Sequence, residues 1–274
     1  MNIGIRAGLG QNKFRGPVEE GEDFGFAGGF HFGINFQWNF NDFIGIRSEV
    51  VYNQTGSSYT LDTDEGFYLF EPLGENDGNI LIRDESLIML DHSNAYIQFP
   101  QTFHVSIIPD KFEVFAGGYV GFLVSPVATG NILFGGESAE QEHSFRQGLN
   151  FNYFSDDADS RFATFNGPNP LNDIEIRALG QDVDLREFEN SFDLFGFNIE
   201  ESRFLSIDYG LIFGGSYYLN RGLYLMGRVE YGLRDITRNT VDYSFAQVND
   251  NQTPVFKEDS DTNLGIYLSI GFRF

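Results

Sequence analysis

The 274-residue chain has no cysteine, so no disulfide framework holds it together. It has no run of 18 apolar residues either, which excludes a transmembrane helix. Lysine and arginine total only 17 against 40 aspartates and glutamates, a formal net charge of −23. Phosphate backbones repel such a polyanion, so nucleic acid is excluded as a partner. Histidines number four, which leaves few candidates for a general base. No secretory leader is visible: the first alternating stretch begins directly after Met1, and Met1 is read as standing where a leader was removed. No internal repeat or linker interrupts the chain, so residues 1–274 are expected to form one domain.

Aromatic residues, by contrast, make up 16% of the chain. From Phe26 to Phe40 the even positions are large and apolar (Phe26, Phe30, Phe32, Ile34, Phe36, Trp38, Phe40), Gly28 excepted, and the odd ones are small or polar. A period of two over fifteen residues describes a β-strand with one apolar and one polar face. Soluble strands run about 5–6 residues. One this long, and this apolar on one side, is expected to face lipid outward and a polar interior inward. The same alternation returns in seven further stretches, beginning near Asn2, Ile44, Ala95, Phe112, Leu205, Leu223 and Asn263. Eight such strands predict an all-β fold, an eight-stranded antiparallel transmembrane β-barrel of the bacterial outer membrane.

The connections alternate in length. Asn41-Asp42, Pro109-Asp110-Lys111 and Asn220-Arg221-Gly222 are tight turns with turn-forming residues. Between them lie long segments at about 11–24, 61–94, 126–203 and 238–262, the arrangement of short periplasmic turns and long extracellular loops. These four segments hold 33 of the 40 acidic and 10 of the 17 basic residues, so the excess of −23 lies entirely in them. The strands and tight turns are neutral, and the displayed surface is acidic. Trp38, Phe40, Phe43, Phe112, Tyr217 and Tyr218 cluster near the turns, where an interfacial girdle belongs.

Several of these strands carry a family resemblance. RSEVVYNQTG (47–56) resembles the "PELxYSxKG" signature of the Bacteroidota outer-membrane β-barrel family described as PorT-like. YIQFP (96–100) is similar to its "YLEIP" element, with Gln98 in place of Glu. FAGGYVGFLVS (115–125) resembles "AGPYxGYLLS", with Gly118 in place of proline. Asp208-Tyr-Gly210, Gly222-Leu-Tyr-Leu and Tyr231-Gly-Leu233 resemble its paired "DFG…GLYLxxxYxxGL" stretch. The final residues, ending in Phe272 and Phe274, resemble the aromatic signal read by the barrel-assembly machinery. The acidic third loop has no counterpart in the pattern. The resemblance implies a barrel and, for function, an accessory of protein export by type IX secretion.

Eight strands enclose a space that side chains fill. Arg47-x-Glu49 and Arg228-x-Glu230 lie at matching distances beyond short turns, on inward faces. They are expected to form a stacked ion-pair layer plugging the lumen, joined by Asp208 and Arg234. Because unpaired charges are costly in a low-dielectric interior, complete pairing is expected. The alternative is a layer that conducts protons or small solutes. His31, placed near Glu49 by the hairpin register, is read as a packed polar residue. A hydrolase reading would need a rim Asp–His dyad, His92 with Asp91 or Asp84. Asp91-His92-Ser93 does not make a triad by itself, because neighbours on a strand point to opposite faces.

Three acidic stretches offer oxygen ligands for loosely bound calcium: Asp62 and Asp64; Asp156, Asp157 and Asp159; Asp259 and Asp261. None completes an EF-hand loop, and solvated loops are the plainer reading, so no cofactor is required. The third long segment, about 78 residues, exceeds the usual loop length and is rich in phenylalanine, unlike a disordered acidic tail. It is read as a cap over the barrel mouth or as a docking surface for a protein partner at 126–203. The expected role is therefore non-enzymatic: a structural or interaction barrel in contact with outer-membrane lipid and lipopolysaccharide. An export accessory, a narrow pore and an envelope hydrolase are the alternatives.

Overall fold

A computed structural model describes residues 2–18, 20–72, 80–134, 145–152, 161–164, 174–178, 181–185, 203–239, 247–248, 254–255 and 258–274. The strands are β1 (Asn2–Arg15), β2 (Glu22–Asn39), β3 (Ile44–Pro72), β4 (Ile80–Ile108), β5 (Phe112–Phe134), β6 (Phe145–Asn152), β7 (Arg161–Thr164), β8 (Ile174–Ala178), β9 (Gln181–Leu185), β10 (Ile207–Tyr218), β11 (Leu223–Gly232), β12 (Gln247–Val248), β13 (Pro254–Val255) and β14 (Thr262–Arg273). Eight of them close a ring in the order β1-β2-β3-β4-β5-β10-β11-β14. Every pair in the ring is antiparallel, and β14 returns to β1 with a register running from Gly4↔Arg273 to Arg15↔Thr262. The ring leaves no strand edge unpaired, which is the condition for sheet to cross a bilayer.

Alternation decides which way each residue points. Ile5, Leu9, Phe32, Ile34, Val50, Phe103, Phe122, Phe213, Leu225, Leu268 and Ile270 are exposed on the outer wall, while Arg6, Asn35, Arg47, Glu49, Gln98, Arg228 and Glu230 are buried inside. The polarity of a soluble protein is thus inverted across the wall, as hydrocarbon outside demands. Of the turn-proximal aromatics, Trp38, Phe40, Phe43 and Tyr217 are exposed as a girdle requires. Tyr218 departs from that expectation: it is 5% exposed and turns inward, toward Arg47.

The three tight turns form as their residues direct. Asn41 Oδ1 accepts hydrogen bonds from the Phe43 and Ile44 amides, at 2.8 and 2.9 Å. Asn220 Oδ1 does the same for Gly222 and Leu223, at 2.9 and 2.8 Å. Both are side-chain mimics of a backbone turn. At the third, Asp110 takes φ 58°, a left-handed conformation that Asp tolerates better than most residues.

Residues 61–94, expected to be a loop, are where described mostly strand. The β3–β4 ladder continues upward from Ile44↔Val105 to Phe70↔Ile80, with one irregularity at Thr63/Gly66. β5 likewise runs on to Phe134 against β4. The boundary was hidden because above the membrane the outer face meets water, so apolar residues stop marking it. Ser58, Thr60 and Asp62 replace them there. Within the long segment 126–203, β6 pairs with β5 and β7, and β8 with β9. The Phe-rich stretches between them lie outside the described residues.

Placing a cation on the outer wall separates membrane from overhang. Val50→Arg should cost about 2–4 kcal/mol, and Asp62→Arg, on the exposed overhang, within about 0.5 kcal/mol, in reversible unfolding from lipid vesicles.

Candidate functional site

The barrel interior is built in tiers. Nearest the short turns, Arg47 on β3 pairs with Glu113 on β5, over the intervening β4. The Arg47 guanidinium also donates to Gln37 Oε1 at 3.3 Å and to the Tyr218 hydroxyl at 3.5 Å. Gln37 in turn contacts His104 Nε2 at 3.1 Å. Below this tier, a polar cavity of about 270 Å³ opens among Asn39, Asp42, Lys111, Glu113 and Arg273.

The next tier is a four-membered chain of charge. Arg6 on β1 donates to Glu49 Oε2 through Nε at 2.9 Å and Nη2 at 2.6 Å. Arg228 on β11 lies 3.7 Å from the same oxygen and 2.7 Å from Glu230 Oε1. Glu230 Oε2 accepts from Asn53 and Gln98, each at 3.2 Å, and Asn53 also donates to the Tyr267 hydroxyl at 2.9 Å. His31 Nε2 lies 2.7 Å from the Ser269 hydroxyl. Its ring stands edge-on to Tyr267 at 5.2 Å. The side chains of Arg6, Arg47, Arg228, Glu49, Glu113 and Glu230 are each at most 5% exposed, so three cations and three anions cancel out of contact with water.

Glycines make room for this filling. A side chain at Gly10 would strike the Tyr267 ring, and one at Gly271 would strike Tyr224. Small residues on β1 and β14 therefore accommodate the tyrosines that fill the lumen.

Above the charge, toward the external end, Asp208 accepts hydrogen bonds from the Tyr119 hydroxyl at 3.0 Å and Asn263 at 2.9 Å. Higher still the interior turns apolar. Phe14 packs on Phe24 (6.2 Å), His92 (5.4 Å) and Phe204 (5.9 Å), and Tyr59 closes against Phe24 at 5.4 Å. The backbone of 203–206 is fastened there by Leu205 N to Ile236 O and Leu123 N to Ser206 O, both 2.8 Å. Phe204, just past the long third segment, thus forms part of a lid over the polar lumen. Burial, with Arg203 adding to it, holds the His92 imidazole down at about 3. His92 lies above the outward apolar stretch of β4, outside the membrane-spanning part.

The structure brings together four of the six residues assigned to the ion-pair layer, but as two groups. Arg228, Glu49 and Glu230 sit in one network; Arg47 sits in another with Glu113. Asp208 stands apart on neutral partners. Arg234 is half-buried beyond the end of β11 and makes no ion pair among the described residues. Arg6 and Glu113 escaped notice although their signal was present, each being a charged residue on the polar face of an alternating strand. His31 pairs in register with Asn53 and bonds Ser269, whereas the expectation set it beside Glu49. Asp91 is exposed and His92 buried, so the strand parts the rim dyad; the Asp84 side chain lies outside the described residues. Asp62 and Asp64 are exposed, Asp259 half-buried and Asp261 buried, and no three potential ligands converge among the described residues. Asp156, Asp157 and Asp159 lie outside them. Phe272 and Phe274 point outward, 43% and 71% exposed, with their rings 5.2 Å apart.

Glu49→Gln strips the carboxylate shared by Arg6 and Arg228 and should cost about 3–5 kcal/mol. Arg234→Gln should cost no more than about 0.5 kcal/mol, both read by denaturant unfolding. Between pH 6.5 and 3 an unfolded His92 binds a proton that the folded one refuses, so lid stability falls as pH drops through this window. Amide protection factors at Phe14, Tyr59 and His92, corrected for the intrinsic exchange rate at each pH, should fall with acid, and His92→Phe should flatten that dependence.

The sequence profile described as outer membrane protein beta-barrel domain matches residues 1–238. No curated protein matches the chain. Among solved structures, Ail, the attachment invasion locus protein of Yersinia pestis, is 10% identical with a TM-score of 0.35, covering 100% of this chain and 98% of that one. OprG from Pseudomonas aeruginosa is 12% identical with a TM-score of 0.31 (100% and 95% covered). The outer membrane protease OmpT from Escherichia coli is 8% identical with a TM-score of 0.37 (100% and 96% covered). At these scores no role passes from one to the other. The profile match spans most of the chain: this protein belongs to the outer membrane protein beta-barrel domain family and resides in the bacterial outer membrane.

Proposed function

We propose that this barrel is a non-conducting, non-enzymatic protein whose working part is its external overhang. The carrying observation is the filled interior. Two buried ion-pair tiers and three inward tyrosines occupy the lumen within the membrane, and an aromatic lid covers them. A channel needs a continuous wet path, and side chains that water cannot reach interrupt one. A rim Asp–His dyad needs both side chains on one face, and His92 points inward against Phe14, Tyr59 and Phe204 while Asp91 is exposed on the other face.

What the barrel holds up is the long β3–β4–β5 extension and the acidic segments around it. They suit a protein partner, with residues 126–203 as the docking segment. The barrel's own contact with outer-leaflet lipid is assigned to Lys13 and Arg15. Lys13 Nζ lies 5.4 Å from the Phe26 ring centre, and the Arg15 guanidinium 4.0 Å from that of Tyr231. At the upper edge of the apolar wall, both suit the phosphates of lipid or lipopolysaccharide. Phe272 and Phe274 are the proposed handle for the assembly machinery. The resemblance of segments 47–56, 96–100 and 115–125 to PorT-like barrels makes an export complex the first partner to look for.

Refolded protein in planar bilayers should give no stable conductance steps. Steps abolished by altering Arg47 or Glu49 would overturn this reading and make the ion pairs a selectivity filter.

A further inference from the structure

The outer wall is apolar except at its centre. On β4 the outward residues from Ile97 to Val105 are Ile97, Phe99, Gln101, Phe103 and Val105, so Gln101 stands midway. It is exposed, between Phe99 and Phe103 at 41% and 47%. Its neighbour across β3 is Ser48, likewise midway between Ile44 and Tyr52, and its neighbour across β5 is Gly118. The Ser48 hydroxyl donates to Gln101 Oε1 at 2.5 Å. That bond fixes the carboxamide but leaves both Nε2 hydrogens without an acceptor among the described residues. Acyl chains offer none. Glutamine at the midplane is also too short to reach headgroups as lysine does, so its donors are stranded at an energetic cost.

We infer that this wall is a two-fold contact between two copies of the chain in the membrane. A carboxamide carries both a donor and an acceptor, so it complements itself. Two copies related by a two-fold axis can each donate Nε2–H to the other's Oε1, whose second lone pair Ser48 leaves open. A self-complementary patch of this kind defines an isologous dimer. Gly118 supplies the clearance. A Cβ there would meet only the Gly210 carbonyl oxygen, at 3.1 Å, so a notch lies beside Gln101 where a facing side chain can approach. Phe99, Phe103 and Val50 surround the polar centre with apolar surface. This contact is independent of whatever the external loops engage.

The absence of cysteine makes the test clean. Phe99→Cys, which leaves Gln101 and Ser48 in place, and, on the opposite strand β14, Leu268→Cys are reconstituted separately at high lipid-to-protein ratio and oxidised with copper–phenanthroline. Phe99→Cys is expected to give a disulfide-linked dimer and Leu268→Cys at least tenfold less. In parallel, mass measurement in detergent and in lipid discs should find the unaltered protein dimeric. Gln101→Leu should lower the dimer fraction about tenfold while the barrel stays folded by circular dichroism. Equal cross-linking at both positions, a monomeric unaltered protein, or a dimer untouched by Gln101→Leu would overturn the inference. So would trapping of a different protein at position 99 in native membranes.

Discussion

Hydrocarbon gives nothing to a polar group, and almost every feature of this barrel follows from that. Backbone amides and carbonyls must pair within the chain, so eight strands close on themselves and the last returns to the first. Side chains that cannot be apolar must turn inward and there find one another. Arg6, Glu49, Arg228 and Glu230 form one such set, and Arg47 with Glu113 another. Removing water from these charges is expensive, and mutual contact offsets that expense only where partners are complete. The inward glycines serve the same end, since tyrosines can cross the lumen and deliver hydroxyls to Asn53 and Asn35 only where a neighbouring strand lacks side chains.

The interior therefore changes character with height. Polar residues fill it where the outer wall meets lipid. Where the outer wall meets water, Phe14, Phe24, Tyr59 and Phe204 fill it instead. The overhang is a small conventional core, polar outside and apolar inside, stacked on a membrane section with the opposite arrangement. The two share strands, so the external part inherits a rigid base without a linker.

Much of this was legible in the sequence because lipid-facing alternation is a strong signal. Phe26 to Phe40 alone established strand, orientation and environment, and the Asn-headed turns marked the periplasmic side. The strand limits above the membrane were not legible, since Ser58 and Thr60 on the outer face look like loop residues once water replaces lipid. The membership of the ion-pair tiers was half legible. Parity placed Arg47, Glu49, Arg228 and Glu230 inward, but which cation meets which anion depends on strand tilt across the lumen, and that drew in Arg6 and Glu113 and left Arg234 outside. The role of Phe204 could not be seen in advance either, because it comes from a chain that folds back over the mouth and pairs at Thr237.

The two ion-pair tiers hold the membrane section together as charges that are closed off and mutually compensated. The most direct test is a double-mutant cycle on Arg47 and Glu113, with each changed to methionine alone and together. The account predicts strong coupling, on the order of 1–3 kcal/mol, with the double variant more stable than either single one because no orphaned charge remains. Additive losses would contradict it, for they would mean that water, rather than the partner, satisfies each group.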